Sequence, residues 1–260
     1  MKMRPSRVLR KLRAGKPASC TKFNLNDPRA VEIAGQSGFD CVWFDCEHTP
    51  TDSLGLEQAV RAAKIYDMDS LVRVPRGSYS DHIRPFEMDA AGIMVPHLMS
   101  AADAKQVVRM TRFHPIGRRP IDGGNADGAY CRISPEDYVR TANRERFVIV
   151  QIEDPEPLDE LDAIAATPGI DMLFFGPGDF SHSIGKVGQW NAPEVAAARE
   201  AIAKAALKHD KFAGTVSGVN TIPELLDLGY RFLSVGADVL ALVEYFDAIA
   251  KAFSDHGFGN

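Results

Sequence analysis

Paired cysteines are missing from this chain. It has four cysteines in 260 residues, Cys20, Cys41, Cys46 and Cys131, and none forms a CxxC pair, so the zinc-finger spacings are absent. Three of them lie in or beside apolar, strand-like runs, where a reduced, buried thiol is the ordinary state. Such usage points to the cytoplasm. Long hydrophobic runs are missing too, since nothing approaches the roughly 18 residues a membrane helix needs. The N-terminal "MKMRPSRVLRKLRAGKP" lacks the apolar centre of a secretory signal. It is basic and free of acids up to Asp27, and it reads as a capping segment over about residues 1–16, because a strand-like run begins by Ala18. An excess of positive charge is also lacking. The net charge of -5 has the wrong sign for a nucleic-acid surface, and it suits a small anionic substrate only if local cations or a metal compensate. There is no GxGxxG, and no glycine-rich phosphate loop follows the first strand. No composition break suggests a second domain.

What is present is an ordinary globular composition, 45% apolar and 25% charged, sufficient for a sizeable core. Short apolar runs recur at Ala18–Phe23, Cys41–Asp45, Ser70–Val74, Gly92–Pro96, Phe147–Glu153, Asp171–Gly176, Phe212–Val216 and Arg231–Gly236. Several lack alternation, so both faces are covered, as in a parallel sheet. Helical patterns lie between them. Ser100 and Ser134 open capping-box sequences, and Pro and Gly bracket the segment Ile222 to Gly229. Strands alternating with helices over about 250 residues predict an α/β fold, a single-domain (β/α)8 TIM barrel. A doubly wound sheet is the alternative. The stretch from about 113 to 133 is rich in glycine and has no periodicity. A loop of that length in an ordered barrel implies a lid or an interface.

In such a barrel the C-terminal ends of the strands share one face, where active sites sit. The second strand delivers Asp45-Cys-Glu-His48 there, the third Arg73, the fifth Gln151 and Glu153, and the sixth the turn Gly176-Pro-Gly-Asp179. Each has a plain structural role to weigh. Asp179 fits a helix N-cap, Glu153 a partner for a surface lysine, His48 a satisfied core histidine. Arg73 inside "LVRVP" resists dismissal, because a buried charge must find a partner. Taken jointly the groups point to a site. Clustered carboxylates repel unless a cation resolves them. Glu153 and Asp179 fit a sparse, all-oxygen site for Mg²⁺ or Mn²⁺, with Co²⁺ a further candidate. The glycine turn opening a helix forms an anion nest, which with Arg73 suits the carboxylate of a small oxo-acid.

The motifs "FDCEHTP", "LVRVP", "GIMVPH", "VQIED", "GIDMLFFGPGDFS" and "GQWNAPEV" together resemble the metal-dependent class II pyruvate aldolases. These are the HpcH/HpaI aldolases, of the 4-hydroxy-2-oxo-heptanedioate aldolase type, in the superfamily of the citrate lyase β chain. The resemblance covers roughly residues 15 to 250. It implies that Glu153 and Asp179 ligate the metal, and that Arg73, Gln151 and the amide of Gly178 hold pyruvate, with Asp179 beside it. It also implies that His48, in the motif with Asp45, assists proton transfer. The family histidine pairs with a carboxylate on the third helix, here Glu87 where Asp is usual. Pro120 in place of Gly and the segment Gly123-Gly124-Asn125 depart from the family pattern. A hexamer is the family's common assembly, which would make the long loop an interface element.

The implied activity is a carbon–carbon lyase that splits a 4-hydroxy-2-oxo acid reversibly into pyruvate and an aldehyde through a metal-stabilised pyruvate enolate. No lysine is evident at a strand end, which disfavours a Schiff-base route. One rival is a CoA-thioester lyase, for which Arg118, Arg119 and Arg132 are candidate phosphate contacts. The other is a barrel that binds without catalysis. Nucleic-acid and membrane partners are not expected.

Overall fold

The computed structural model of the chain describes residues 1–258. Eight parallel strands close into a barrel in sequence order: β1 (Ala18–Phe23), β2 (Cys41–Asp45), β3 (Asp69–Arg73), β4 (Gly92–Val95), β5 (Phe147–Ile152), β6 (Met172–Phe175), β7 (Phe212–Ser217) and β8 (Phe232–Ala237). Closure is made by β8 returning to β1 through Ala18–Phe232 and Ser19–Leu233. The helices are α1 (Arg7–Arg13), α2 (Pro28–Gln36), α3 (Ser53–Ile65), α4 (Tyr79–Glu87), α5 (Ala101–Thr111), α6 (Pro135–Glu145), α7 (Leu161–Ala165), α8 (Pro177–Ser183), α9 (Pro193–Lys208), α10 (Ile222–Asp227) and α11 (Asp238–Asp255). The expected (β/α)8 barrel is therefore the observed fold.

Side-chain parity builds the core. Val42, Phe44, Val72, Ile93, Val148, Val150, Leu173 and Phe175 point outward into one cluster with the helices. Cys41, Trp43, Leu71, Met94, Phe147, Ile149, Met172 and Phe174 point inward and fill the barrel. Strand residues alternate between faces, so the same parity carries Lys22, Asp45, Arg73, Gln151 and Glu153 inward at the C-terminal end. The site is thus the continuation of the inner core, with charge replacing apolar surface at the last layer.

The opposite end is closed by α1. Val8, Leu9 and Leu12 join the interior cluster. Asp69, at the start of β3, accepts hydrogen bonds from Ser6 Oγ at 2.6 Å, the Val8 amide at 2.9 Å and Arg4 Nη2 at 2.6 Å. Arg7 and Lys11 pair with Asp40 at 2.9 and 2.6 Å. The basic face of this segment is therefore partly spent on two buried aspartates instead of being solvated throughout.

The segment after α5 leads into α6 and not into a strand, so it lies at the N-terminal rim, away from the mouth. It cannot be a lid over its own chain's mouth. It is folded around Arg119, which lies within 6 Å of the Phe86, Phe113 and Tyr138 ring centroids (5.3, 4.6 and 5.9 Å) and pairs with the buried Asp127 at 2.9 Å. Arg119 is thereby withdrawn from the phosphate-binding role considered for a thioester. The last helix, α11, differs from the rest, having no buried residue along its 18.

Replacing Asp69 with Ala would strand Ser6, Arg4 and the Val8 amide at once. The expected loss is about 2–3 kcal/mol of unfolding free energy in urea titration. Arg10→Ala, which removes an exposed pair with Asp67, is expected to change it by no more than about 0.5 kcal/mol.

Candidate active site

Asp45 and Arg73 close β2 and β3 and face each other in register. Arg73 grips the carboxylate with two donors, Nε to Oδ1 at 3.1 Å and Nη2 to Oδ2 at 2.6 Å. Lys22 Nζ reaches the same Oδ2 at 2.7 Å. Both cations lie over the Trp43 ring, at 5.1 and 5.0 Å from its centroid, a favourable placement for charge above an aromatic face. Burial opposes ionisation of Asp45, but Arg73 and then Lys22 hold its carboxyl well below the usual range. Its Oδ1 also accepts the amides of Glu47 and His48, at 3.1 and 3.3 Å. Asp45 therefore fixes the turn that presents His48.

Glu153, one residue past β5, has no solvent exposure. Its Oε1 accepts the His97 amide at 2.9 Å and its Oε2 the Gln151 side-chain amide. Burial drives its carboxyl up to about 7; the His97 amide works against this, and the nearby charge of Asp179 adds to it. Gly176 is required here, because a Cβ would stand 2.5 Å from Glu153 Oε2. Asp179 occupies the first turn of α8 and makes no capping hydrogen bond, so the N-cap role is not what it does.

A cavity of about 500 Å³ opens above these groups, lined by Lys22, Trp43, His48, Arg73, Gln151, Gly178, Asp179 and residues of β7 and β8. A Cβ on Gly178 would meet nothing within 4 Å, so its backbone is open to a ligand. His48 is 58% exposed, and the nearest acid is Glu47 at 3.5 Å. Of the residues singled out in the sequence, His48, Arg73, Gln151, Gly178 and Asp179 line this cavity, with Asp45 behind Arg73 and Glu153 beneath. Glu87 does not join them. It ends α4, whose C-terminus lies at the other rim, beside Arg119, Asp127 and Asp122, where burial raises its carboxyl. Within one chain the structure does not bring Glu87 to His48.

Two polar groups here, Lys22 and His97, are not among the site residues expected from the sequence, and Glu47 of the expected Asp45–His48 turn lies with them. Lys22 is a lysine at a strand end, contrary to the expectation that there is none; a charge inside the strand-like "ASCTKF" is its signal. Glu47 Oε2 lies 3.1 Å from Arg73 Nε and 3.5 Å from His48 Nε2 and accepts no hydrogen bond. His97, left-handed at φ 47°, bonds Asp154 through Nδ1 at 2.8 Å. No spacing rule would have placed His97 here.

The residues fit a hard divalent cation. Glu153 and Asp179 offer oxygen alone, and Gln151 Oε1 is a buried acceptor with no donor. Glu153 accepts hydrogen bonds from neutral amides alone and has the His97 ring at 3.8 Å as its ion-pair neighbour, and a carboxylate so deeply buried is stabilised by further positive charge. Two carboxylates leave the remaining coordination positions to waters and ligand, the habit of Mg²⁺ and Mn²⁺.

A raised acid destabilises the fold once it ionises. The penalty from Glu153 is absent below its unfolded value of 4.5 and complete above about 7, reaching roughly 3 kcal/mol. Metal-free protein is expected to lose thermal stability over that window as pH rises, relative to Glu153→Gln protein. Differential scanning calorimetry of both at pH 5 and 7.5 measures it, and added Mg²⁺ is expected to restore stability to the parent alone.

The sequence pattern of the HpcH/HpaI aldolase/citrate lyase family matches residues 23–244. A "Pyruvate aldolase" of Rhizobium etli is 34% identical over 94% of this chain and 96% of its own. A "Hydroxypyruvate/pyruvate aldolase" of Pseudomonas aeruginosa is 32% identical over 95% and 92%. Among solved structures, an HpcH/HpaI aldolase from Desulfitobacterium hafniense DCB-2 superposes with a TM-score of 0.91 at 28% identity, covering 97% of this chain and 99% of that one. The chain belongs to the HpcH/HpaI aldolase/citrate lyase family.

Proposed function

We propose that this protein is a metal-dependent pyruvate aldolase, a carbon–carbon lyase that reversibly cleaves a 4-hydroxy-2-oxo acid to pyruvate and an aldehyde. One observation carries the reading: Asp179, Gln151 and Arg73 line a single cavity, with Glu153 buried beneath it against Gln151 and Asp45 behind Arg73, in a chain of an aldolase family. Mg²⁺ or Mn²⁺ held by Glu153 and Asp179 would supply Lewis-acid polarisation of the keto group. The open amide of Gly178, with Gln151 and Arg73, binds the oxo-acid end and fixes its orientation. In the cleavage direction His48 takes the proton of the 4-hydroxyl. The C3–C4 bond breaks, its electron pair forms the pyruvate enolate, and the aldehyde leaves. A proton returned to C3 completes pyruvate. Arg73 offsets charge at the enolate end, and Asp45 keeps Arg73 and the His48 turn in place.

Protein stripped with EDTA is expected to leave 4-hydroxy-2-oxo acids intact, and Mg²⁺ or Mn²⁺ to restore pyruvate release in a coupled assay. Glu153→Ala and Asp179→Ala should each lower kcat at least about a hundredfold, the scale of losing a principal electrostatic group. Wild-type rates in either variant would remove the metal assignment.

The same reading includes a homo-oligomer, a hexamer by resemblance. In a barrel the helix after the last strand packs back across β8 and β1. Here α11 leaves Val243, Phe246 and Phe253 at 56%, 59% and 53% exposure, while a groove of about 420 Å³ lies open on the wall it would cover, lined by Phe39, Ile222, Leu226, Leu233 and Val235. A second copy supplies the helix that this groove lacks, and reciprocally. Chain association also offers the only route by which Glu87 can approach a His48. No helix among the described residues is long and apolar enough to cross a membrane, and free cysteines suit the cytoplasm. Phe246→Glu is expected to shift the parent oligomer to smaller species in sedimentation velocity; an unchanged distribution would remove α11 from the interface.

A further inference from the structure

Lys22 has no part in the mechanism above, yet it is the cation a ligand would meet. Its side chain is 23% exposed, against 5% for Arg73. Arg73 is already held between Asp45 and Glu47. Lys22 makes one ion pair, with Asp45, and an ammonium has three donors, so two remain.

Its place in the barrel says which part of a substrate it faces. β1 lies diametrically across the closed barrel from β5, which delivers Gln151 and Glu153. An oxo-acid anchored by Arg73 of β3, Gln151 of β5 and Gly178 after β6 leaves the β7–β8–β1 side of the cavity vacant. That side is built from Trp190, Val216, Ser217 and Leu240, with Trp43 of β2 next to it, and apart from Lys22 it carries no charge. Trp43 at its floor keeps a buried indole N–H without a protein partner. Lys22 shares Asp45 Oδ2 with Arg73 but is the more exposed of the two cations, and its free donors with the Trp43 N–H beside them select an anionic group.

We propose that Lys22 is a specificity-determining residue that binds a carboxylate on the aldehyde fragment, so that the preferred acceptor is an oxo-acid aldehyde and the preferred cleavage substrate a diacid. The proposal rests on the aldolase reading and adds to it the residue that chooses the second fragment. Lys22 is accordingly a binding group, and no covalent bond to it is formed.

The test is a selectivity ratio, kcat/KM for glyoxylate over that for glycolaldehyde, each condensed with pyruvate in the presence of Mg²⁺. Lys22→Met is expected to lower the ratio at least tenfold, and Lys22→Arg to keep it within about threefold of the parent. An unchanged ratio in Lys22→Met overturns the proposal, whether both rates fall, as they would if Lys22 only braces Asp45, or neither does. Exchange of the pyruvate methyl protons in D₂O without any aldehyde tests the underlying reading separately. A parent enzyme that exchanges but shows no loss of ratio in the variant sinks Lys22 alone. A parent that neither exchanges nor condenses sinks the aldolase reading, and this proposal with it.

Discussion

Glu153 is a fully buried carboxylate whose one ion-pair neighbour is the His97 ring at 3.8 Å, and the arrangement of the mouth follows from that. Asp45 is as thoroughly buried, yet its situation is the reverse. Arg73 and Lys22 both touch it, so its charge is matched and its role is mechanical. Glu153 receives only an amide N–H from His97 and another from Gln151. Those bonds satisfy oxygen lone pairs but supply no net charge. Two acids at equal depth thus differ in charge balance: Asp45 is matched by Arg73 and Lys22, while Glu153 has only the His97 ring at 3.8 Å as an ion-pair neighbour. The difference comes from which strand faces which, since β1 and β3 flank β2 and bring a lysine and an arginine, whereas β4 and β6 flank β5 and bring neither, only the His97 ring at 3.8 Å.

Holding Glu153 in that state is itself demanding. The His97 amide points at it only because His97 adopts a left-handed backbone, unusual for a residue other than glycine, asparagine or aspartate. The surroundings over-determine this conformation. Arg76 donates to the His97 carbonyl at 2.7 Å and is tied to Asp103, and Asp154 holds the ring. Strain retained next to a reactive carboxylate is a recognised feature of sites that must be set before the ligand arrives. Ser183 of α8 also reaches Asp154, at 3.3 Å, so the helix carrying Asp179 is linked to the same assembly.

The parts of this arrangement visible in the sequence are those set by local pattern. Strands buried on both faces announce themselves, and all eight runs coincide with observed strands to within a residue at either end. The glycine turn before Asp179 and the arginine inside an apolar run were equally legible, because each breaks a rule that only a site or a partner explains. Lys22 broke the same rule, but it stands in a strand whose neighbours include Ser19, Thr21 and Asn24, and that polarity masked it. His97 follows a strand and looks like a loop residue; its importance lies in a dihedral angle, which no pattern encodes. The loop near 113–133 was recognised as abnormal, but its rim is decided by α6, an extra helix that makes the connection end at the barrel's floor. The pairing of Glu87 with His48 came from resemblance alone, and a single chain keeps the two at opposite ends.

The exposure of α11 bears on the chemistry as well as on assembly. Leu240 sits in the first turn of that helix and also lines the cavity, and the chain enters the helix through Gly236, which bears a positive φ of 73°. Asp238 anchors the turn by accepting the amides of Asn24 and Leu25 beyond β1, at 2.8 and 2.9 Å. The strand that carries Lys22 and the helix that carries Leu240 are therefore tied at one point, on the side of the cavity opposite Glu153. If α11 is positioned by a second copy, the compartment for the aldehyde takes its final shape only in the assembly, while the oxo-acid end is complete in each chain. Enolisation would then tolerate a disturbed interface better than condensation does, because the groups it needs are all fixed within one barrel.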